Sequence, residues 1–146
     1  MYSLARLLKI KVYAFDPEPT ERSLAEKMSE LNGVQALVEH RDLFTVSDMK
    51  QFAGMRLLVL SDCEGFEGQL FNPSTLPLTP RWDLLTELHG RYIHTLPSLP
   101  WPHIKQIISL QSREHDRFEE LDVLGGGPDL LQEYREQQAW LWCEMV

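Results

Sequence analysis

The sequence predicts an α/β fold, a doubly wound parallel sheet of about five strands followed by an extra C-terminal helix. Three observations carry that expectation. The first 60 residues alternate strand and helix patterns; MRLLVL, residues 55–60, is the most apolar run; and a helical pattern opens at Pro128 and Asp129, after the GGG at 125–127. Such alternation implies parallel strands joined by right-handed crossovers, with the functional crevice at the carboxyl ends of the strands.

Taken in order, LKIKVYAF (8–15) alternates and then runs apolar, as a mostly buried strand does. Thr20 to Leu31 reads as a helix with Thr20 as N-cap, Gly33 just past the end, and Leu24, Met28 and Leu31 on one face. VQALVEH (34–40) is a short strand, and Ser47 opens a helix with Met49, Phe52 and Ala53 that Gly54 closes. MRLLVL has the pattern of a central parallel strand covered on both faces. Residues 61–75 read as a loop with at most one helical turn, and TLPLT (75–79) as a short strand that Pro77 confines to an edge or interrupts. RWDLLTELH (81–89) reads as a short helix ended by Gly90, and RYIHTL (91–96) as a strand. HIKQIISLQSREHDRFEEL (103–121) reads as a longer helix offering Ile104, Ile107, Ile108 and Leu110 to the core. Residues 1–124 are thus expected to form one domain, with its third helix short or absent, and residues 125–146 a hinge and a C-terminal helix.

With 43% apolar residues, a chain of 146 can bury a real core. Its 14 basic and 22 acidic residues leave a formal charge of −8, which argues against a direct nucleic-acid or anionic-membrane partner and suits a basic protein partner. Cys63 and Cys143 have no Cys or His at ligand spacing, so neither a disulfide scaffold nor a zinc site is expected, and a cytoplasmic location is the default. Arg6, Lys9 and Lys11 interrupt the apolar N-terminal run, against a signal peptide, and no stretch is long and apolar enough to span a bilayer.

The order of elements and the loop residues resemble the receiver domain of bacterial two-component response regulators, over about residues 8–120. FDPEPTERSL (15–24) matches the spacing of the acidic pair and helix entry after the first strand, LLVLSDCEGFEG the third strand and its loop, TLPLT the switch position with Thr79, and YIHTLPSLPWPHIKQII the proline-marked fifth strand. The resemblance implies a phospho-accepting aspartate, Asp62, with Thr79 as switch, and Mg²⁺ held by Asp16, Glu18 and Asp62. The departures count against that chemistry. Mg²⁺ wants several hard oxygen ligands, yet Pro17 replaces one acid of the pair. Ser61 stands where the phospho-acceptor belongs, with Asp62 one residue late, and a one-residue slip turns a strand side chain to the other face. Leu96 stands where the lysine belongs.

The expectation is therefore a degenerate, phosphorylation-independent receiver: a non-enzymatic regulatory protein–protein interaction module of bacterial signalling or transcription regulation, without cofactor. Two alternatives are a working receiver using Asp62 and Mg²⁺, and a small α/β ligand-binding domain or enzyme with its crevice at the strand ends. Leu130, Leu131, Tyr134 and Leu141 repeat at helical spacing, and Trp140 and Trp142, roughly 200° apart on a helix, extend the apolar surface. These six residues are the expected interface with a homodimer partner, another protein or a fused output domain. His40, His94 and Cys63 lie near the predicted crevice, but none has a partner that marks it as a ligand or nucleophile.

Overall fold

A computed structural model of the chain describes residues 2–110 and 138–145. The chain divides into two compact units, residues 1–50 and 51–146. The expected domain boundary at 124/125 and its GGG hinge lie outside the described residues.

The first unit opens with a helix that the sequence reading did not anticipate, α1 (Tyr2–Leu8). It continues through β1 (Val12–Phe15), α2 (Pro19–Leu31) and β2 (Val38–Arg41) into α3 (Val46–Phe52), at which the division falls. β1 and β2 pair in parallel, Val12 opposite Val38 and Phe15 opposite Arg41. Their small core is Ala5, Val34 and Val38, with Tyr2, Val12, Ala14 and Leu37 packed against it. α2 is capped by Glu18 rather than Thr20: the Glu18 side chain accepts from Thr20 N, and Pro19 takes the first helical position, where its missing N–H costs nothing. Gly33, at φ +66°, turns the chain out of the helix. The predicted apolar face of α2 is not its buried one. Leu24, Met28 and Leu31 are exposed, and Ser29 is buried instead, its hydroxyl bonded to Ala25 O and to His40 Nε2. α3 begins with a reciprocal cap: Thr45 N donates to Asp48 Oδ2, and Asp48 N to Thr45 Oγ1.

The second unit contains β3 (Leu57–Ser61), α4 (Glu67–Leu70), a 3₁₀ turn (Leu76–Leu78), β4 (Trp82–Leu88), α5 (Tyr92–Thr95), β5 (His103–Leu110) and β6 (Gln138–Met145). Its sheet has the order β3-β4-β6-β5, with β3 and β4 parallel and the other two pairings antiparallel. This overturns the doubly wound parallel sheet. Only the strands read before residue 61 overlap those of the structure, the first two in their second halves alone, and they belong to two sheets: β1 and β2 form one, and β3 pairs with β4 in the other. The receiver resemblance loses the sheet that it implied.

Each corrected element has a physical reason. Residues 82–88 carry apolar side chains compatible with either period, and the period of two wins: Trp82, Leu84, Thr86 and Leu88 all point into the core. Ile104, Ile107 and Ile108 suggested a helix, but β-branched side chains suit a strand and β5 pairs with β6 along its length. The expected C-terminal helix is β6 over Gln138–Met145, with Ala139, Leu141 and Cys143 buried in alternation. On a strand, residues two apart share a face, so Trp140 and Trp142 lie together rather than around a helix. Leu130, Leu131 and Tyr134 lie outside the described residues. The predicted strands at 75–79 and 91–96 are a 3₁₀ turn around Pro77 and the short helix α5.

Among the described strands β3 is not central but lies at the edge, and Leu58 and Leu60 are 59% and 60% exposed. The core lies on the other face, which carries Trp82, Leu84 and Leu141; Phe71, Leu76 and Leu96 are buried as well. Trp82 is fixed further by its indole N–H, which donates to Phe52 O at 3.3 Å. His103 Nε2 donates to Thr79 O at 2.9 Å, tying the start of β5 to the 3₁₀ turn. No helix among the described residues is long and apolar enough to cross a membrane.

Candidate functional site

β3 and β4 are parallel and in register to Ser61 opposite Thr86, so the next residues of both strands leave the sheet at the same end. At that end stand Asp62, just past β3, Glu87, still within β4 opposite Trp140, and His89, just past β4. One ligand atom from each lies within 4.8 Å of the other two. The loop after β3 completes the group. Glu64 and Gly65, at φ 49° and 98°, both take the left-handed backbone region, and Phe66 N bonds back to Cys63 O. This turn brings in Glu67, the first residue of α4. Gly68 allows that placement, because a Cβ there would collide with the ring of Tyr92.

His89 is the hub. Its Nδ1 is hydrogen-bonded to Glu67 Oε1, which also accepts from Gly65 N at 3.2 Å. The other ring nitrogen, Nε2, faces Asp62 Oδ1 and Glu64 Oε2, each at 3.6 Å. That separation is beyond hydrogen-bond range, so these two contacts are purely electrostatic. Burial acts against a charged His89, but the hydrogen bond to Glu67 and the charges of Glu67, Glu64 and Glu87 outweigh it and raise its pKa. Among the described residues Asp62, Glu64 and Glu67 form ion pairs with His89 and with no lysine or arginine.

The residues that the sequence singled out are not brought together. Asp16 and Glu18 serve the backbone: Asp16 Oδ1 accepts from Glu18 N at 2.8 Å, and Glu18 caps α2. Thr79 is buried before the start of β4, its hydroxyl donating to Leu76 O, while Asp62 lies at the opposite end of that strand. Leu96 is a core residue. Ser61 Oγ contacts Cys63 Sγ at 3.4 Å, and burial comes first among the causes that push the Cys63 thiol up, against a nucleophilic role. His40 is held by Ser29. Of the six expected interface residues, Trp140, Leu141 and Trp142 are described, all on β6; Leu141 is core, and the two tryptophans are half-buried on the face of Leu58 and Leu60.

Sequence reasoning found Asp62 but missed Glu67, Glu87 and His89. The signal was the i, i+2 spacing of Glu87 and His89, which puts both on one face of a strand and which a helical reading of 81–89 conceals. No protein-family model, curated protein or solved structure matches this chain. Its class is therefore set by its own geometry: a mixed α/β chain with an acidic, histidine-centred cluster at the ends of two parallel strands.

Proposed function

We propose that this chain is a small α/β ligand-binding domain whose site is the carboxyl end of β3 and β4, and whose ligand is a cation. The carrying observation is the set of carboxylates, Asp62, Glu64 and Glu67, turned on one imidazole without a lysine or arginine partner among the described residues. Like charges held together raise one another's energy, and a cation placed among them removes that cost. The role is binding rather than catalysis. Amide spectra recorded during titration with Zn²⁺, Mn²⁺, Mg²⁺ and a short aliphatic diamine test it. Saturable shifts over residues 61–67 and 87–90 are expected with at least one of them. If all four leave those amides unmoved in folded protein, the reading fails.

The protein–protein reading has one observation in its favour. Leu58, Leu60, Ile104 and Ile108 are exposed on the sheet face that also carries Trp140 and Trp142. We assign that face to a second copy of the chain, because a two-fold partner would lay the same apolar residues against it. Light-scattering mass at micromolar concentration decides this: a dimer that Leu60→Glu converts to monomer supports it, and a monomeric parent chain overturns it.

A further inference from the structure

Resting on the cation-site reading, we propose that the ligand is a divalent metal ion of the zinc class, held by His89 Nε2, Asp62 and Glu87, with Glu67 as the residue that positions His89. Three observations point to this class rather than to a hard cation or an organic amine.

The first is spacing. Ligand atoms bound tetrahedrally at about 2.0–2.1 Å from Zn²⁺ lie about 3.4 Å from one another. His89 Nε2 and Asp62 Oδ1 are 3.6 Å apart, close to that value and too far for a hydrogen bond. Glu87 supplies a third ligand atom within the same 4.8 Å group.

The second is what lies behind the imidazole. Metal-bound histidines donate their other ring N–H to a carboxylate or carbonyl, which fixes the tautomer and makes the free nitrogen more basic. Glu67 does this to His89 Nδ1. With Nδ1–H given to Glu67, the Nε2 lone pair of a neutral ring would face Asp62 and Glu64, a position that only a proton or a cation can fill favourably.

The third is Glu67 itself. Its side chain is 0% exposed, and its second oxygen, Oε2, has no hydrogen-bond partner among the described residues. A buried carboxylate left partly unsatisfied needs compensating positive charge, and this one abuts the ring that faces the open cluster. A metal on the far nitrogen of that ring polarises it and supplies the missing charge. One imidazole with two carboxylates favours zinc-class metals over Mg²⁺ and Ca²⁺, which prefer oxygen alone. Glu64, 83% exposed at the rim and 3.6 Å from Nε2, leaves the fourth position accessible to water or to an incoming ligand.

The full chain titrated with Zn²⁺ against a chromophoric chelator, with Co²⁺ absorption reporting geometry, tests the proposal. One equivalent should bind at least about 100-fold more tightly than Mg²⁺ or Ca²⁺. Asp62→Asn and His89→Gln should each weaken binding by about 100-fold or more. Glu67→Gln keeps an acceptor for Nδ1–H, so it should cost about 10-fold and Glu67→Ala more, and both should alter the His89 tautomer seen in ¹⁵N spectra. Asp62 is partly exposed, so its variant decides the matter even if the buried Glu67 variants do not fold. Zn²⁺ binding that Asp62→Asn and His89→Gln leave unchanged would place the metal elsewhere and overturn the proposal. Equal binding of Mg²⁺, or binding of the diamine alone, would overturn the metal class while keeping the cation site. No binding of any cation would overturn both.

Discussion

The two units treat acidic side chains at strand ends in opposite ways. In residues 1–50 every such group has a local partner. Glu39 pairs with Arg41 and Lys11, Asp42 with Arg22, and Asp48 with Arg41 and the cap of α3, while Asp16 and Glu18 accept backbone N–H groups. In residues 51–146 Asp62, Glu64 and Glu67 converge on His89. Acidic residues beyond a strand are therefore a poor sign of a site by themselves. The mark of the candidate site is charge gathered on one imidazole without a lysine or arginine partner for Asp62, Glu64 or Glu67 among the described residues.

The cores differ as well, and there the largest effect is expected. Besides Met49, the first unit buries small side chains, Ala5, Val34 and Val38, whereas the second buries Trp82, Phe71, Leu84, Leu96 and Leu141. Trp82→Ala should destabilise the second unit by about 3–5 kcal/mol, since it empties a large volume and leaves the Phe52 carbonyl with only its bond from Met55 N. Val38→Ala should cost the first unit about 1–2 kcal/mol. Urea unfolding followed by residue-resolved amide signals would measure the two separately; equal losses would contradict the difference in core size.

How far the fold was legible follows the same division. The run before residue 61 has strand and helix patterns separated by Gly33 and Gly54, and its elements fall near where periodicity places them. Their assembly was not legible, because nothing local tells β3 to pair with β4 and leave β1 and β2 as a separate pair. After residue 61 the local signal itself misleads. Leu84, Leu85 and Leu88 fit a helix stripe as well as a strand face, and so do Ile104, Ile107 and Ile108; long-range pairing with β6 decides both. The candidate site was hidden by that one ambiguity. Asp62 was visible at a strand end, but Glu87 and His89 become neighbours only once 82–88 is a strand.

The caps of the first unit should show effects of about 1 kcal/mol. Glu18→Ala removes the acceptor for Thr20 N, and Asp48→Ala breaks the reciprocal bonds with Thr45, each costing about 0.5–2 kcal/mol in a denaturant curve. Asp16→Asn and Glu18→Ala should leave cation affinity at the β3–β4 end unchanged. A loss of affinity in either would restore a ligand role to the first acidic stretch and erase the contrast between the units.

Asp62→Asn should act with the opposite sign. In chelator at pH 8.5, removing one of several converging negative charges should leave stability unchanged or raise it, by about 0.5 kcal/mol at most because the group is partly exposed. A loss above 1 kcal/mol in the same curve would mean that Asp62 is a structural partner of His89, and that the second unit neutralises its acids as the first does.

The smallest effect concerns Glu39. Its pKa is lowered, first by the hydrogen bond from Arg41 and then by that from Lys11. A group whose folded pKa lies below its unfolded value contributes stability that is fully present above the unfolded pKa and lost as pH falls through the folded one. For Glu39 that window starts at the ordinary glutamate range and extends downward. Because the side chain is open to solvent in part, the contribution is small and salt-sensitive, and it should appear as a lowered carboxyl titration midpoint in NMR rather than as a measurable change in melting. Raising ionic strength should return the midpoint toward its ordinary value, and Arg41→Lys, which replaces a planar fork by a point charge, should do so in part. A midpoint that ignores both changes would show that the first unit's acids are held by something other than their arginine and lysine partners, and would remove the reason for treating their pairing as the counterpart of the carboxylates gathered on His89.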